Sequence, residues 1–324
     1  MRLSVRVRYA EPAVLEPLLR AAEHLGYDGF WVSEPWGVDA FALLGWCAAR
    51  TTRITLGTHV ASVFARTPAA TAAAAATVQS LSGGRFRLGL GTSGPNVVEG
   101  WHGVPFEAPV ERVRDTVAMV RAVLAGDKVA HGDHRPLRTA LPDAVAPVPV
   151  FVGALGPRNQ RLTADVADGW TPTPYSPDVD AALAGPLRGR LATNRRAVVV
   201  APTCPVAVGA DLNTLWELER GWSALYLGGM GEFYANAARA MGHGGMVDVV
   251  RERWAAGDRG AARAAISDDY ADAIGLFGSA TRIRKRAERY AAAGVNELVI
   301  ELRKPDLGDQ IADLQAVFAA VKGL

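Results

Sequence analysis

A strand followed by a helix recurs along this chain at a nearly constant spacing, and this repeat limits the fold more than any other feature. Apolar runs that predict strands begin near residues 3, 28, 54 and 85, and apolar residues at helical spacing follow each of them. Each repeat is about 25–30 residues long. Strands that alternate with helices predict a parallel sheet, because a parallel connection has to cross the face of the sheet.

The second half of the chain continues the alternation more loosely. The segments "VPVFVGAL", "DGWTPT", "RRAVVVAPTCPVAV" and "NELVIEL" predict strands five to eight, and a long helical stretch runs from about Asp211 to Gly275. Eight such strands over about 300 residues predict an α/β fold of the (β/α)₈ TIM-barrel type. We expect one domain over residues 1–324, with irregular segments at about 126–147 and 228–275 as insertions on the barrel.

The charge balance excludes several classes of partner. Thirty-five basic and 33 acidic residues leave a net charge of +2, which predicts binding to neither nucleic acid nor an anionic membrane. The chain has no uninterrupted apolar window of about 18 residues and no signal-peptide core, so a cytoplasmic protein is expected. Cys47 and Cys204 lie far apart and outside any C-x-x-C, which predicts neither a disulfide framework nor a metal site.

The stretch Gly89–Gly94, "GLGTSG", spells the G-x-G-x-x-G of a dinucleotide-binding loop. That loop should follow the first strand, open directly into a helix and be followed by an acid on the next strand. Here it follows the fourth strand, the next clear helix is predicted only near Val110, and Glu111 lies on that helix. The context therefore favours the end of a barrel strand, either as a plain tight turn or as part of a ligand site.

Small and polar residues follow several of the predicted strands. The segments concerned are "SEPWG", "GTHVAS", "GTSGPN", "GALGPRN" and "TPTPY". Because the carboxyl ends of barrel strands meet at one rim, these segments predict a binding site there.

The segment from Arg53 to Phe106 resembles the luciferase-like monooxygenase superfamily, and within it the branch of oxidoreductases that depend on coenzyme F420. The resemblance is carried by "LGT", "RTPA", "LSGGRF", "LGLG" and "SGPNVVEGWHGVPF", and continues in "VGALGPRN", "ADGWTP", "LYLGGMG" and "FYANAARAMG". It implies a luciferase-like barrel, usually a homodimer, that holds a flavin or the deazaflavin F420 at the strand ends.

The resemblance also implies where the cofactor lies. A bulge with a non-proline cis peptide after strand three falls near His59–Val60, and the phosphate site falls on the loop after strand five. Gly278 and Ser279 could offer a second anion contact, and Arg158 or Arg282 could supply charge or be merely exposed. The cofactor-binding residues expected in this way are Glu34, His59, Val60, Gly91, Thr92, Ser93, Gly94, Gly153, Ala154, Leu155, Gly156, Pro157, Arg158, Thr173, Gly278 and Ser279.

Glu34 and His59 are the expected catalytic residues, although His59 could equally be a structural imidazole. Trp36, Asn96 and Tyr175 are expected in the substrate pocket. Well-studied F420-dependent dehydrogenases of this fold carry a histidine directly after the acid of strand two, where this chain has Pro35. The change favours a reductase, which needs only a proton source from His59, Glu34 or water.

The sequence thus predicts an F420-dependent reductase that transfers hydride from reduced F420 to an unsaturated or carbonyl-type small molecule. The segment between helix "PVERVRDTVAMVRAVLAG" and strand five is short and divergent for the family, which favours an open entrance and a bulky or peptide-like substrate of a biosynthetic tailoring step. Two alternatives stay open: an FMN-dependent two-component monooxygenase, and a barrel that binds cofactor without turnover.

Overall fold

The computed structural model describes residues 1–8, 11–130, 137–138 and 146–324. Its strands are β1 (Arg2–Val7), β2 (Gly29–Val32), β3 (Thr55–Thr58), β4 (Ala61–Ser62), β5 (Phe86–Gly91), β6 (Lys128–Val129), β7 (Leu137–Arg138), β8 (Val150–Val152), β9 (Gly169–Trp170), β10 (Val199–Val200), β11 (Thr203–Val208), β12 (Leu276–Gly278) and β13 (Glu297–Leu302).

Helices surround these strands. They are α1 (Pro12–Leu25), α2 (Ala40–Ala48), α3 (Pro68–Leu81), α4 (Pro95–Gly100), α5 (Pro109–Leu124), α6 (Pro157–Val166), α7 (Asp180–Asn194), α8 (Leu212–Gly229), α9 (Glu232–Ala240), α10 (Gly244–Ala255), α11 (Arg259–Ala264), α12 (Asp268–Ile274), α13 (Ala280–Ala292) and α14 (Leu307–Val321), with a 3₁₀ turn at Pro177–Val179. None of the helices in the described ranges combines the length and apolar character needed to cross a bilayer.

The parallel strands form a barrel, as the sequence predicted. They are paired in the order β10, β9, β8, β5, β3, β2, β1, β13, β11, β12. The short segment between β10 and β11 closes the barrel by bridging β9 and β13: Ala201 N donates to Trp170 O of β9 at 2.8 Å, and Val299 N of β13 donates to Pro202 O at 3.1 Å. The eight predicted strands are therefore β1, β2, β3, β5, β8, β9, the consecutive pair β10–β11, and β13.

Side chains at the helix starts explain why several helices begin where they do. The Asp39 carboxylate accepts from the backbone N–H groups of Phe41 and Ala42, and Thr67 accepts from Ala70 N ahead of Pro68 in the first turn of α3. Such caps satisfy N–H groups that have no partner within the helix. The loops that precede α2 and α3 are fixed in this way, and the loop before α2 borders the cavity described below.

The interior of the barrel is closed at the amino-terminal end of the strands. Trp31, Phe151, Ala201 and Val299 form a separate apolar cluster there. Below it, the fully buried Glu297 carboxylate accepts from Ser4 Oγ at 2.6 Å, Trp31 Nε1 at 3.1 Å and Arg87 Nη1 at 2.7 Å. This plug leaves the carboxyl-terminal end as the open side of the barrel.

Several elements differ from the sequence-based expectation, among them α4 and β12. Helix α4 begins at Pro95, directly after the glycine-rich stretch, whereas no clear helix was expected before Val110. Six residues are too few to produce a periodic apolar signal. Pro95 is itself compatible with a helix start, because proline is favoured at the first helical position. Strand β12, three residues long and paired with β11, was also not predicted.

The two expected insertions are only partly described by the structure. Most of the segment 126–147 lies outside the described residues, including the part expected to leave the entrance open. The segment 228–275 contains the end of α8 and the four helices α9–α12. The division into one domain with two insertions stays a prediction.

Candidate active site

A cavity of about 470 Å³ opens at the carboxyl ends of the barrel strands, within the range typical of small-molecule and cofactor sites. Residues of β1, β4, β5, β11 and β13 line it, together with the loops that follow β2, β3, β8 and β9. Helices α8 and α9 lie on one side of it. The sequence-predicted residues that line it are Glu34, Trp36, His59, Val60, Gly91, Thr92, Ser93, Gly153, Ala154, Leu155, Gly156, Pro157, Arg158 and Thr173.

Two residues expected in the substrate pocket lie elsewhere. Tyr175 is completely buried between the rings of Trp170 and Tyr290, and its hydroxyl donates to Asp180 Oδ1 at 2.6 Å. Asn96 lies on α4 and donates through Nδ2 to Gly229 O at 3.1 Å. Neither lines the cavity, because one packs into the shell around the barrel and the other ties α4 to α8.

Three of the expected cofactor-binding residues are also absent from the cavity lining. Gly94 is the residue before α4. Gly278 and Ser279 precede α13, where the Ser279 hydroxyl accepts from Arg282 N at 3.4 Å and caps the helix. The Arg282 guanidinium is bound to Asp272 Oδ2 at 2.9 Å. These groups serve the local structure of α13 instead of facing the cavity.

The peptide bond between His59 and Val60 is cis, as the resemblance implied. The Val60 side chain projects toward two glycines on neighbouring strands. A Cβ atom added to Gly91 would lie 2.5 Å from Val60 Cγ2, and one added to Gly153 would lie 3.5 Å from Val60 Cγ1. The Val60 bulge therefore requires the bare backbone at Gly91, which the sequence analysis had explained by a tight turn or by a ligand site.

His59 is buried beneath this bulge and is bound on both ring nitrogens. Nε2 bonds to the Thr171 hydroxyl and lies 3.1 Å from Thr203 Oγ1, and Nδ1 lies 3.5 Å from Arg6 Nη1. Because an arginine only donates, Nδ1 is the acceptor and the proton is assigned to Nε2. Burial, with a further contribution from the Arg6 charge, lowers the pKa of His59 to about 3. The imidazole is neutral at neutral pH and holds no imidazolium proton to donate.

Glu34 is held in an ion pair at the rim. Its two carboxylate oxygens accept from the two Nη atoms of Arg66, each at 2.7 Å, and Oε1 also accepts from Ala40 N at 3.1 Å. Arg66 bonds Asp39 Oδ2 at 2.9 Å as well. Hydrogen bonding to Glu34, ahead of the effect of Asp39, raises the pKa of Arg66. The arrangement fixes the loop after β2 to the loop after β4, and Glu34 is not a free base.

The amino terminus of α6 forms one wall of the cavity. Gly156 precedes the helix without a side-chain cap, Pro157 is its first residue, and residues from Gly153 to Asn159 line the cavity. The first helical backbone bond runs from Gln160 N to Gly156 O, so the N–H groups of Arg158 and Asn159 have no partner within the helix. Uncapped N–H groups at a helix start suit an anion. The Arg158 guanidinium pairs instead with the Glu111 carboxylate, with 2.7 Å between Nη2 and Oε1.

Five charged residues of the cavity were missed in the sequence. Arg6 and Arg8 come from the end of β1, Glu301 and Arg303 come from the end of β13, and Glu219 lies on α8. A signal was present for the first four, because they alternate at the ends of two strands of a barrel whose interior must hold every second side chain. They were not recognised because a charged residue in a strand ordinarily indicates a solvent-facing position.

The chain matches proteins of known family along nearly its whole length. The family model described as luciferase-like monooxygenase matches residues 3–297. A Mycobacterium tuberculosis protein provisionally named a coenzyme F420-dependent oxidoreductase is 34% identical, and the match covers 98% of this chain and 99% of that protein. The 5,10-methylenetetrahydromethanopterin reductase of Archaeoglobus fulgidus is 25% identical, with 88% of each chain covered.

A solved structure shares the fold. The coenzyme F420-dependent tetrahydromethanopterin reductase of Methanopyrus kandleri superposes with a TM-score of 0.81 at 22% identity, over 99% of each chain. The barrel, the cis peptide and the match to the family model agree with one another. The chain belongs to the luciferase-like monooxygenase family.

Proposed function

We propose that this protein is a coenzyme F420-dependent oxidoreductase that works as a reductase on an unsaturated or carbonyl-type substrate. One observation carries the proposal: the Val60 bulge and the uncapped start of α6 border the same cavity. An apolar bulge suits the face of a flat ring, and a helix amino terminus suits a phosphate on the ring's side chain. The name of the Mycobacterium tuberculosis relative points to the same cofactor.

The residues present fit such a cofactor. Gly91 and Gly153 leave room for the Val60 bulge, and Thr92 and Ser93 continue the wall on one side of it. The free N–H groups of Arg158 and Asn159 would take the phosphate. When bound, F420 supplies hydride transfer, and the task of the chain is to hold the substrate beside the ring and to exclude water.

The state of the candidate bases supports the proposed direction of transfer. Oxidising an alcohol requires a base that removes the hydroxyl proton. Glu34 is bound to Arg66 through both oxygens, and His59 has a pKa of about 3 and bonds on both nitrogens. Reduction of a conjugated double bond can instead take its proton from water. These contacts favour a reductase that acts on an activated alkene.

An exposed aromatic rim supports a bulky substrate. Trp36, Trp222 and Phe233 line the cavity, and each exposes more than a third of its surface. Large exposed aromatic side chains around a cavity mark a surface that binds another molecule. We therefore retain a large or peptide-like substrate and a tailoring role as part of the proposal, together with the homodimer that the family resemblance implies.

The proposal is tested by turnover under anaerobic conditions. Reduced F420 is mixed with the protein and with one member each of four acceptor classes: an enone, an α,β-unsaturated acid, a ketone and a dehydropeptide. The proposal expects F420 oxidation above the protein-free rate with at least one alkene-containing acceptor. Oxygen-dependent turnover of reduced FMN, with no reaction of reduced F420, would instead identify a monooxygenase. Absence of activity with both cofactors would favour the alternative that the barrel binds a cofactor without turnover.

A further inference from the structure

A cluster of five buried charges forms the side of the cavity between β1, β13 and α8. Arg8 Nε lies 2.7 Å from Glu301 Oε1, Arg303 Nη1 lies 3.0 Å from the same oxygen, and Arg6 pairs with the other oxygen of Glu301. Arg303 also pairs with Glu219, which accepts from Ser223 Oγ at 2.8 Å. All of these residues line the cavity.

The cluster carries an excess of one positive charge. Three arginines face two glutamates, and 3 − 2 gives +1. The adjacent His59 adds nothing, because it is neutral. The other charged residues of the lining, Glu34 and Arg158, are each paired with a group outside the cluster. An excess charge that is partly withdrawn from water is costly, so its retention on a cavity wall points to an anionic ligand.

Arg8 is the member of the cluster that can reach such a ligand. Its side chain is 23% exposed, against 8% for Arg6 and 6% for Arg303. It meets Glu301 through Nε, whereas a guanidinium has five N–H donors. Its plane lies over the ring of Trp222, with Cζ 3.3 Å from the ring centroid. Glu301 and Trp222 thus hold the guanidinium fork in one orientation.

Arg6 adds an independent sign that the cluster is incomplete. Its Nε is buried and has no hydrogen-bond partner among the described residues. Buried donors are nearly always satisfied in native proteins, and an exception calls for a further partner such as water or an ion. This donor belongs to a residue that lines the cavity and is more than nine-tenths buried.

We propose that the Arg6–Arg8–Arg303 cluster binds a carboxylate of the substrate, so that the substrates of this enzyme are organic acids. A single excess charge matches one carboxylate better than a dianionic phosphate, and a planar guanidinium binds a carboxylate through two parallel hydrogen bonds. The site lies on β1, β13 and α8, away from the α6 start assigned to the cofactor phosphate. This inference rests on the proposed function, because it names the substrate class of that cavity.

The test compares acids with amides of the same shape. The full chain, with and without F420, is titrated calorimetrically with three pairs: acetate and acetamide, benzoate and benzamide, cinnamate and cinnamamide. We expect at least one acid to bind about tenfold more tightly than its amide, the scale of one charge-assisted hydrogen bond. If no acid binds more tightly than its amide, the proposal is wrong.

Variants then locate the effect. Arg8→Gln should reduce the preference for the acid to about twofold or less and leave F420 affinity within about twofold of the original, and Arg8→Lys should retain part of the preference. Arg20→Gln, an exposed arginine on α1 that pairs with Glu16, is the matched control and should change neither. Melting curves confirm that each variant is folded.

The two proposals fail in different ways. Weaker F420 binding in Arg8→Gln, with an unchanged acid preference, would assign the cluster to the cofactor and overturn the substrate inference. If F420 binds to no form of the protein while the acid preference persists without it, the proposed function fails and the acid site stands.

Discussion

At the scale of single residues, two features define the cavity wall: Gly91 has no side chain, and His59 has no charge. Gly91 carries no Cβ because the Val60 side chain occupies that place. His59 carries no positive charge because its ring is enclosed and lies near Arg6. Both residues line the cavity, where Gly91 was expected as a cofactor-binding residue and His59 as a catalytic residue or a structural imidazole. Their contacts with neighbouring side chains account for the missing Cβ and for the neutral ring.

Gly91→Ala should damage both the fold and cofactor binding. The new methyl group would lie 2.5 Å from Val60 Cγ2, and relieving that contact should cost about 1–3 kcal/mol of unfolding free energy. Gly100→Ala is the matched control, because nothing lies within 4 Å of a Cβ at that position. Urea unfolding and F420 titration of both variants measure the effects. Equal stability of the two variants would show that the bulge is not packed against Gly91.

His59 should make the protein sensitive to acid. Its pKa falls from 6.5 to about 3 on folding, so between these values the unfolded chain binds more protons than the folded one. Stability therefore rises with pH through this window, and lowering the pH from 6.5 to 5 should cost about 2 kcal/mol from this group alone. His59→Gln should flatten the dependence of unfolding free energy on pH between 5 and 6.5. Parallel pH curves for the two proteins would contradict the buried, neutral imidazole.

At the scale of secondary-structure elements, the loops after the strands are fixed by pairs of charges and by helix starts. The Glu34–Arg66 pair joins the loops after β2 and β4. The cavity wall at α6 is a helix start whose first N–H groups are free of a side-chain cap. The two features predict distinct responses to substitution, because the ion pair is a positioning contact and the start of α6 is the proposed phosphate site.

Glu34→Gln and Arg66→Gln should have the same effect if Glu34 acts through its ion pair. Each change removes the bidentate contact, and we expect a loss of about 1–3 kcal/mol in stability and a KM effect larger than the kcat effect. The double variant should be little worse than either single one, as measured by unfolding and by steady-state kinetics. A collapse of kcat in Glu34→Gln alone would make Glu34 a catalytic base.

Gly156→Asp should weaken F420 binding without lowering the stability of α6. A side chain at Gly156 meets nothing within 4 Å, and aspartate is a favoured cap, so α6 should be unchanged or more stable. The same carboxylate would repel a phosphate at the free N–H groups, and F420 affinity should fall more than about tenfold. Gly156→Asn is the neutral control of similar shape and should weaken binding less. Unchanged F420 affinity in Gly156→Asp would place the phosphate elsewhere.

At the scale of the whole molecule, the barrel could be predicted because its signal is spread along the entire chain. Eight predicted strands, most of them followed by a predicted helix, leave few alternatives to a closed parallel barrel. The placement of individual residues was less predictable. Tyr175 lies close to a strand end in sequence but packs outward, and Arg6 lies inside a strand but faces the cavity. Which face a side chain takes near a strand end depends on local bends that a sequence does not reveal.

Binding of F420 is the most direct test of the proposed function. The purified protein is titrated with F420 and, separately, with FMN, and cofactor fluorescence is followed in each case. We expect saturable F420 binding in the micromolar range or tighter, weaker binding of FMN, and a specific loss of F420 affinity in Gly156→Asp. Tighter binding of FMN than of F420, or no saturable binding of F420, would contradict the proposed function.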